Sequence, residues 1–200
     1  IPFGRALETH LQFEIEGGPF SYWKFNVPHI AGIIDWQGKD FHIRELKSDF
    51  YEGKLEGGIR LKLKEGGGAT MAFDARVEEV DLKPFMKDVV DPSREAEGSL
   101  SGELNITSAE TADWGSWQGF GYAKLEAGRL WDTPLFGIFS RLMNAVSPGL
   151  GNSQGADGQG HFTIEDSVIR TQDLSLQERS ARLAYDGSVD FEGKLQARVE

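Results

Sequence analysis

Apolar and polar residues alternate along most of the chain, which is the pattern of β-strands that bury one face. In the first such segment, Leu11, Phe13 and Ile15 alternate with glutamine and glutamate residues. The alternation returns in residues 59–63 and 71–77, which flank a glycine-rich turn and read as a hairpin. The sequence therefore predicts many antiparallel strands that share one apolar face.

Two segments have a helical period instead. In the first, Leu82, Phe85, Met86, Val89 and Val90 fall on one face of a short helix that ends before Asp91-Pro92. The second, residues 135–146, is the most apolar stretch of the chain.

Helix 135–146 is predicted to begin after Thr133 as the N-cap, with Pro134 in its first turn, and to stop at Pro148-Gly149. Its apolar residues are Leu135, Phe136, Ile138, Phe139, Leu142, Met143, Ala145 and Val146. Its narrow polar stripe consists of Gly137, Ser140, Arg141 and Asn144. A helix that is apolar over most of its circumference needs a broad cover, so we expect it to dock on the sheet with the polar stripe facing solvent.

Two polar segments are predicted to be loops, residues 107–115 and the glycine-rich residues 147–160. Neither is long or distinct enough to divide the chain, so we expect a single β-rich domain over residues 1–200. A faint internal repeat has an offset of 128 residues: it aligns Trp36 with Ile164 and Leu46 with Leu174. This offset suggests one strand-turn-strand module used twice, although two amphipathic meanders can also match by chance.

The composition narrows the possible partners. The chain has 25 glycines in 200 residues, a net charge of −11 and no cysteine. The negative charge argues against nucleic acid as a partner, because such binding needs clustered lysine and arginine. Segment 135–146 is too short to cross a bilayer, which takes roughly 20 apolar residues. From the residues at both ends we expect a piece of a longer protein, with any targeting segment outside it.

The search for catalytic chemistry yields only weak candidates. The four histidines form no metal-binding motif, and the spacing of Asp157 and His161 is a poor match to a ligand pair. Ser153 lies in a G-x-S-x-G match, but the predicted order of helix before strand is the reverse of a hydrolase elbow. An acidic glycosidase pair stays open as an alternative. So does sugar stacking on Trp114, Trp117 or Trp131, although packing explains these tryptophans as well.

Residues 119–151, with GFGYAKLEAGRLWDTPLFGIFSRLMNAVSPGLG, resemble the C-terminal region of the AsmA-like family of envelope proteins, whose wider relatives are TamB-like and YhdP-like. Two later segments are similar as well, HFTIEDSVIRTQDLSLQ and LAYDGSVDFEGKLQARV. Upstream, VEEVDLKPFMKDVV and EGSLSGELNIT match the short helix and strand that precede them in the family. The resemblance is strongest over residues 70–200. It rests on the order of these segments, since none is specific alone.

The resemblance implies a long, curved antiparallel sheet, a half-pipe or partly open barrel, with two short amphipathic helices. It further implies a non-enzymatic periplasmic module that binds or conducts phospholipid between the inner and outer membranes, with an inner-membrane anchor outside this segment. No cofactor and no metal are expected. A closed β-sandwich or barrel, of the carbohydrate-binding or adhesin type, is the alternative.

The alternation assigns a set of residues to one apolar face, which the resemblance implies is the concave face that lines a lipid groove. They are Leu11, Phe13, Ile15, Ile59, Leu61, Leu63, Met71, Phe73, Val77, Leu100, Leu104, Ile106, Val189, Phe191 and Leu195. We expect the helix formed by residues 135–146 to cap one end of this groove, through Leu135, Phe136, Ile138, Phe139, Leu142, Met143 and Val146.

Overall fold

The computed structural model describes residues 10–22, 25–89, 97–128, 156–177, 182–190 and 195–199. This part of the chain contains thirteen strands and one α-helix. The strands are β1 (His10–Gly17), β2 (Phe20–Tyr22), β3 (Phe25–Val27), β4 (His29–Gln37), β5 (Asp40–Phe50), β6 (Gly53–Leu63), β7 (Ala69–Asp81), β8 (Ser99–Glu110), β9 (Asp113–Gly128), β10 (Ala156–Glu165), β11 (Val168–Gln177), β12 (Arg182–Asp190) and β13 (Leu195–Val199). The helix α1 spans Leu82–Val89, between β7 and β8.

Eleven strands form one antiparallel sheet in the order β1-β4-β5-β6-β7-β8-β9-β10-β11-β12-β13, and β2 and β3 form a separate hairpin. Apart from that hairpin, each strand pairs with the next strand along the chain, as in a meander. The expected mainly β fold with one large sheet is confirmed. The closed sandwich or barrel is wrong, because β1 and β13 stand at opposite ends of the strand order and the sheet is open between them.

Helix α1 confirms the first predicted helix. The Asp81 side chain accepts a hydrogen bond from the Lys83 backbone N–H at 2.8 Å, which satisfies a free donor of the first turn. The described part of the chain holds this one short helix instead of two. The second predicted helix and its capping residues, 135–146, lie outside the described residues.

The connections differ between the two ends of the sheet. At one end, called the turn end, short turns join β4 to β5, β6 to β7, β8 to β9 and β10 to β11. At the other end, called the helix end, the β2–β3 hairpin lies between β1 and β4, and α1 lies between β7 and β8. In the described residues, the longer connections between strands of the large sheet therefore lie at the helix end.

Two segments predicted as loops are part of strands. Residues 107–115 were expected to be a loop because they are polar, but β8 continues to Glu110 and β9 begins at Asp113. Within them Ala109 is fully buried, and the Thr107 hydroxyl donates to the Gln118 carbonyl at 3.1 Å. Register shifts in β8 interrupt the alternation of apolar and polar residues at this point, so the sequence pattern did not indicate a strand. Likewise, residues 156–160 of the predicted glycine-rich loop belong to β10.

The internal repeat has a geometric counterpart in the sheet. Trp36 pairs with Phe41 across the β4–β5 turn, as Ile164 pairs with Ile169 across the β10–β11 turn. The register of β5 against β6 then shifts between Ile43 and Leu46. The register of β11 against β12 shifts between Thr171 and Leu174, which are the same two positions plus 128. The repeat therefore places a turn and a β-bulge at equivalent points of two three-strand modules.

Two apolar clusters lie on the sheet. The helix-end cluster contains the buried residues Phe50, Val80, Leu82, Leu100, Leu125, Leu174, Leu176 and Tyr185. The turn-end cluster contains the buried residues Ile106, Ala109 and Ile164, with Met71, Phe73, Leu104, Trp117, Phe162 and Ile169 packed against them.

Candidate functional site

The strand register places the predicted lining residues on one face of the sheet, called the apolar face. Directly paired residues of antiparallel strands point to the same side. Phe13 pairs with Ile34, and the row Ile59, Phe73, Ile106 runs across β6, β7 and β8. The members whose side chains are described are Leu11, Phe13, Ile15, Ile59, Leu61, Leu63, Met71, Phe73, Val77, Leu100, Leu104, Ile106 and Val189. Phe191 lies outside the described residues, and Leu195 is known only as the backbone partner of Val189.

At the helix end the apolar face is covered by α1 and the β2–β3 hairpin. Phe25 of β3 and Phe85 of α1 pack with Phe50 and Tyr51 as an aromatic group whose ring centroids are 4.7–6.3 Å apart. Such edge-to-face and offset pairs stabilise beyond the area that they bury. This end of the face is therefore filled by side chains of the protein itself.

Hydrogen bonds fasten this cover to the sheet. The Asp88 carboxylate accepts from the Asn26 side-chain amide at 2.7 Å and from the Tyr51 hydroxyl at 2.9 Å. The Tyr51 hydroxyl in turn accepts from the Asn26 backbone N–H at 3.2 Å. Burial is the largest cause of the raised pKa of Tyr51, so its hydroxyl stays a donor. Three elements, β3, the β5–β6 turn and α1, thus meet at one carboxylate.

At the turn end of β1, β4 and β6 the apolar face is open. Leu11, Phe13, Trp36 and Leu63 keep 46%, 45%, 42% and 42% of their surface exposed. These four residues, which share the apolar face through the β1–β4–β5–β6 register, are called the open patch. Exposed apolar side chains clustered on one face, in contrast to scattered ones, mark an interaction surface.

The indole nitrogen of Trp36 does not make the open patch polar. The Nε1–H donates to the Gly38 carbonyl at 3.0 Å, so the polar atom is satisfied within the β4–β5 turn. The ring also packs edge-on against Phe41 at 6.3 Å between centroids. Its remaining exposed surface is therefore hydrocarbon.

Further along the sheet the lining residues pack against one another. Phe73 packs edge-on against Trp117 at 5.9 Å, and Ile106 is 1% exposed. Met71 and Leu104 contact the same turn-end cluster, and Val189 is also buried. The accessible part of the predicted lining is consequently narrower than the whole face, and it is concentrated on β1 and β6.

Sequence reasoning missed several residues of the same face. In β4 and β5 they are Ile34, Trp36, Phe41 and Ile43, and in β10 and β11 they are Phe162, Ile164 and Ile169. The signal that could have found them is the two-residue period, which these strands also show. Trp36 is the most informative of them, because it belongs to the open patch.

The opposite face, called the polar face, carries ion pairs. Asp35 lies between Arg44, whose Nε is 2.5 Å from Oδ2, and His10, whose Nε2 is 3.4 Å from Oδ1. The hydrogen bond from Arg44 is the main cause of the lowered pKa of Asp35. Arg76 makes a similar cross-strand contact with Glu103 at 3.6 Å. Exposed pairs of this kind contribute little stability, and they keep this face wetted by water.

The weak catalytic candidates are not brought together. His161 contacts Asp173, not Asp157, with 2.6 Å between Nδ1 and Oδ2, and Asp173 also accepts from the His161 backbone N–H at 2.7 Å. Burial raises the pKa of Asp173, but these bonds from His161 outweigh it and lower that pKa. In the described ranges, no three histidine, aspartate or glutamate residues lie close enough to hold a metal ion. Ser153 lies outside the described residues.

Trp114 and Trp117 stack at 4.7 Å between ring centroids with 18° between the planes. Trp117 belongs to the turn-end cluster, whereas Trp114 keeps 68% of its surface exposed. Trp131 lies outside the described residues. One indole face is therefore presented at the turn end of β9, next to the apolar face.

None of the described helical residues forms a stretch with the length and apolarity that crossing a membrane requires. Comparisons with protein-family models, with curated proteins and with solved structures found no match to this chain.

Proposed function

We propose that the chain is a non-enzymatic lipid-binding module, which holds the acyl chains of a phospholipid on the apolar face of its sheet. The observation that carries this proposal is the open patch. Four large apolar side chains on β1, β4 and β6 stay more than 40% exposed on one face of the eleven-stranded sheet. Acyl chains are the ligand that gains most from such a surface, because their transfer from water is favourable at about 25 cal/mol per Å².

We further infer that the sheet is curved around this face as a half-pipe. Register shifts mark β-bulges in β5, β7 and β11, and bulges bend a strand and increase its twist. Gly57 and Gly121, which lie on the apolar face, have no space for a side chain: an added Cβ would stand 2.1 Å and 2.4 Å from backbone carbonyl oxygens of adjacent strands. Glycines at which the backbones of adjacent strands approach closely also allow a sheet to bend.

The place of the module in the cell rests on the resemblance to AsmA-like proteins. In this proposal the chain lies in the periplasm, belongs to a longer protein with an anchor in the inner membrane, and helps phospholipid travel toward the outer membrane. The open sheet supports it in one respect. Within the open patch the exposed apolar surface extends over β1, β4 and β6, so an acyl chain can pass from one strand to another, as conduction requires.

The first test is the lipid content of the purified protein. An organic extract, analysed by mass spectrometry, is expected to contain phospholipid in roughly stoichiometric amount after extensive washing. Lipid-free protein that also fails to bind added dihexanoyl phosphatidylcholine would contradict the proposal. A protein of the same charge and size without an apolar face, purified in parallel, controls for carry-over.

Trp114 favours a second candidate function, the binding of carbohydrate. An exposed indole held flat by a second ring can stack on the apolar face of a sugar. Replacement Trp114→Ala removes the exposed ring and leaves Trp117 in its cluster. If the module binds sugar, this variant loses the glycans that the unchanged protein retains on an array, whereas an array without any bound glycan rules this candidate out.

A further inference from the structure

Large apolar side chains are exposed in a row along the turn end of the sheet. Leu11, Trp36 and Leu63 keep 42–46% of their surface exposed, and Trp114 keeps 68%. Each is the last or next-to-last residue of its strand at this end. In β6, Leu61 lies two residues further from the end on the same face and is already half-buried. Exposure therefore rises toward the turn end, where Leu11, Trp36, Leu63 and Trp114 are called the exposed rim.

Backbone hydrogen bonds join the turns that carry the exposed rim. The Leu63 N–H donates to the Lys39 carbonyl at 2.8 Å, so the end of β6 lies beside the β4–β5 turn that follows Trp36. The Thr111 N–H donates to the Ala69 carbonyl at 3.0 Å, which joins the β8–β9 turn to the start of β7. In the order β1-β4-β5-β6-β7-β8-β9, six strand spacings of about 4.8 Å make the exposed rim about 29 Å long.

Two lysines near the exposed rim are neutralised by carboxylates of the neighbouring turns. The Lys39 Nζ lies 2.5 Å from Glu65 Oε1, and Lys64 pairs with Glu110. The chain as a whole carries a net charge of −11. An anionic membrane would therefore repel the protein, whereas a zwitterionic phospholipid surface has no net charge to oppose contact. The charge of the chain thus favours a zwitterionic bilayer over an anionic one.

Trp114 has the chemistry of a residue at a membrane–water interface. Its ring stacks on Trp117 at 4.7 Å between centroids, which holds it in place while 68% of its surface stays exposed. Its indole N–H makes no hydrogen bond to a described residue. Tryptophan is enriched at such interfaces, because the ring leaves water while the N–H finds an acceptor. The carbonyl and phosphate oxygens of phospholipids supply acceptors at that depth.

We propose that the exposed rim docks on the surface of a zwitterionic phospholipid bilayer, with the Trp114 ring in the interfacial region. This inference rests on the proposed function and adds the partner from which the lipid enters. Leu11, Trp36 and Leu63 of the exposed rim also belong to the open patch. A lipid that leaves the bilayer at the exposed rim therefore meets the apolar face at once. The helix end offers no such entry, because α1 and the β2–β3 hairpin cover the apolar face there.

Docking is tested by flotation of the protein with vesicles of dioleoyl phosphatidylcholine. The unchanged protein is expected to float with the vesicles. Trp114→Ser is expected to lower the partition coefficient about tenfold, which is the contribution of one large apolar side chain that leaves water. The matched control is Phe120→Ser, which removes a ring that is 53% exposed on the polar face of the same strand. This control is expected to partition as the unchanged protein does.

A short-chain lipid separates this proposal from the lipid-binding function. Dihexanoyl phosphatidylcholine, added below its micelle-forming concentration, is expected to bind Trp114→Ser and the unchanged protein equally, because Trp114 lies outside the open patch. If this lipid does not bind the unchanged protein, the lipid-binding function is wrong. If it binds but the vesicles do not, or if both serine variants lower the partition coefficient equally, the function stands and docking through the exposed rim is wrong.

The orientation of docking is tested with a fluorescent probe on a single cysteine, since the chain has none of its own. Ala112→Cys places the probe in the β8–β9 turn, and Lys83→Cys places it on α1, both at exposed positions. With phosphatidylcholine vesicles, the emission is expected to shift to shorter wavelength for Ala112→Cys and to stay unchanged for Lys83→Cys. Equal shifts, or a shift for Lys83→Cys alone, would overturn the proposal.

The lipid composition gives a further readout. Replacing part of the phosphatidylcholine by phosphatidylglycerol is expected to weaken flotation, because the net charge of −11 is repelled by an anionic surface. Stronger flotation on the anionic vesicles would contradict docking on a zwitterionic surface, since it would show that cationic side chains hold the protein there.

Discussion

Replacing Phe13→Glu and Leu63→Glu together is expected to weaken binding of dihexanoyl phosphatidylcholine by more than about tenfold, with the fold retained. Both side chains lie in the open patch, and nearly half of each is exposed, so water can solvate the new charges in the free protein. A bound acyl chain would have to desolvate two carboxylates and would lose two apolar contacts. Because one buried apolar side chain contributes about 1.5–3 kcal/mol and tenfold corresponds to 1.4 kcal/mol, the expected loss is large.

The matched control changes the polar face, on β1 and on its neighbouring strand β4. Gln12→Glu with Gln37→Glu adds the same two negative charges at exposed positions of β1 and β4. Isothermal titration is expected to show binding close to that of the unchanged protein, and circular dichroism should be the same for all three. Equal weakening in both double variants would mean that net charge, not the open patch, governs binding.

Gly121→Val is expected to have the largest effect on stability, with a loss of about 3 kcal/mol in the free energy of unfolding. A Cβ at this position would stand 2.4 Å from the Glu103 carbonyl oxygen and 2.4 Å from the Phe162 ring. The backbone atom cannot move without breaking the pairing of β8 with β9, and Phe162 would leave its place in the turn-end cluster. Overpacking of this kind usually costs about 1–3 kcal/mol, and a clash with backbone lies at the upper end.

The control for this prediction is Gly17→Val at the end of β1. An added Cβ at Gly17 meets no atom within 4 Å, so the change is expected to stay within about 0.5 kcal/mol. Urea denaturation of both variants gives the comparison. If Gly121→Val were as stable as Gly17→Val, the close packing of β8, β9 and β10 at this point would be wrong.

The strands and their faces could be predicted from the sequence because side chains alternate in every regular strand. That signal identified β1, β6, β7 and β8, and it assigned Phe13 and Phe73 to one face correctly. It failed where strands are three residues long, as in the β2–β3 hairpin, since such strands show less than two periods. It also failed at residues 107–115, where polar residues and register shifts interrupt the period.

The exposed part of the apolar face could not be predicted in the same way. Periodicity assigns a residue to a face, but exposure depends on which distant elements cover that face. Val77 and Leu63 have the same alternation, yet Val77 packs against the helix-end cluster whereas Leu63 is open. The difference comes from α1 and the β2–β3 hairpin, which Asp88 joins through long-range hydrogen bonds that no local pattern encodes.

The most direct test of the central claim is to map where an acyl chain contacts the protein. A phospholipid with a photoreactive diazirine within one acyl chain is bound, irradiated, and located by mass spectrometry of the peptides. Adducts are expected at the open patch, on Leu11, Phe13, Trp36 and Leu63, and to disappear when unlabelled lipid competes. Adducts confined to the polar face, or no adduct that competes, would contradict the claim that the apolar face of this sheet binds lipid.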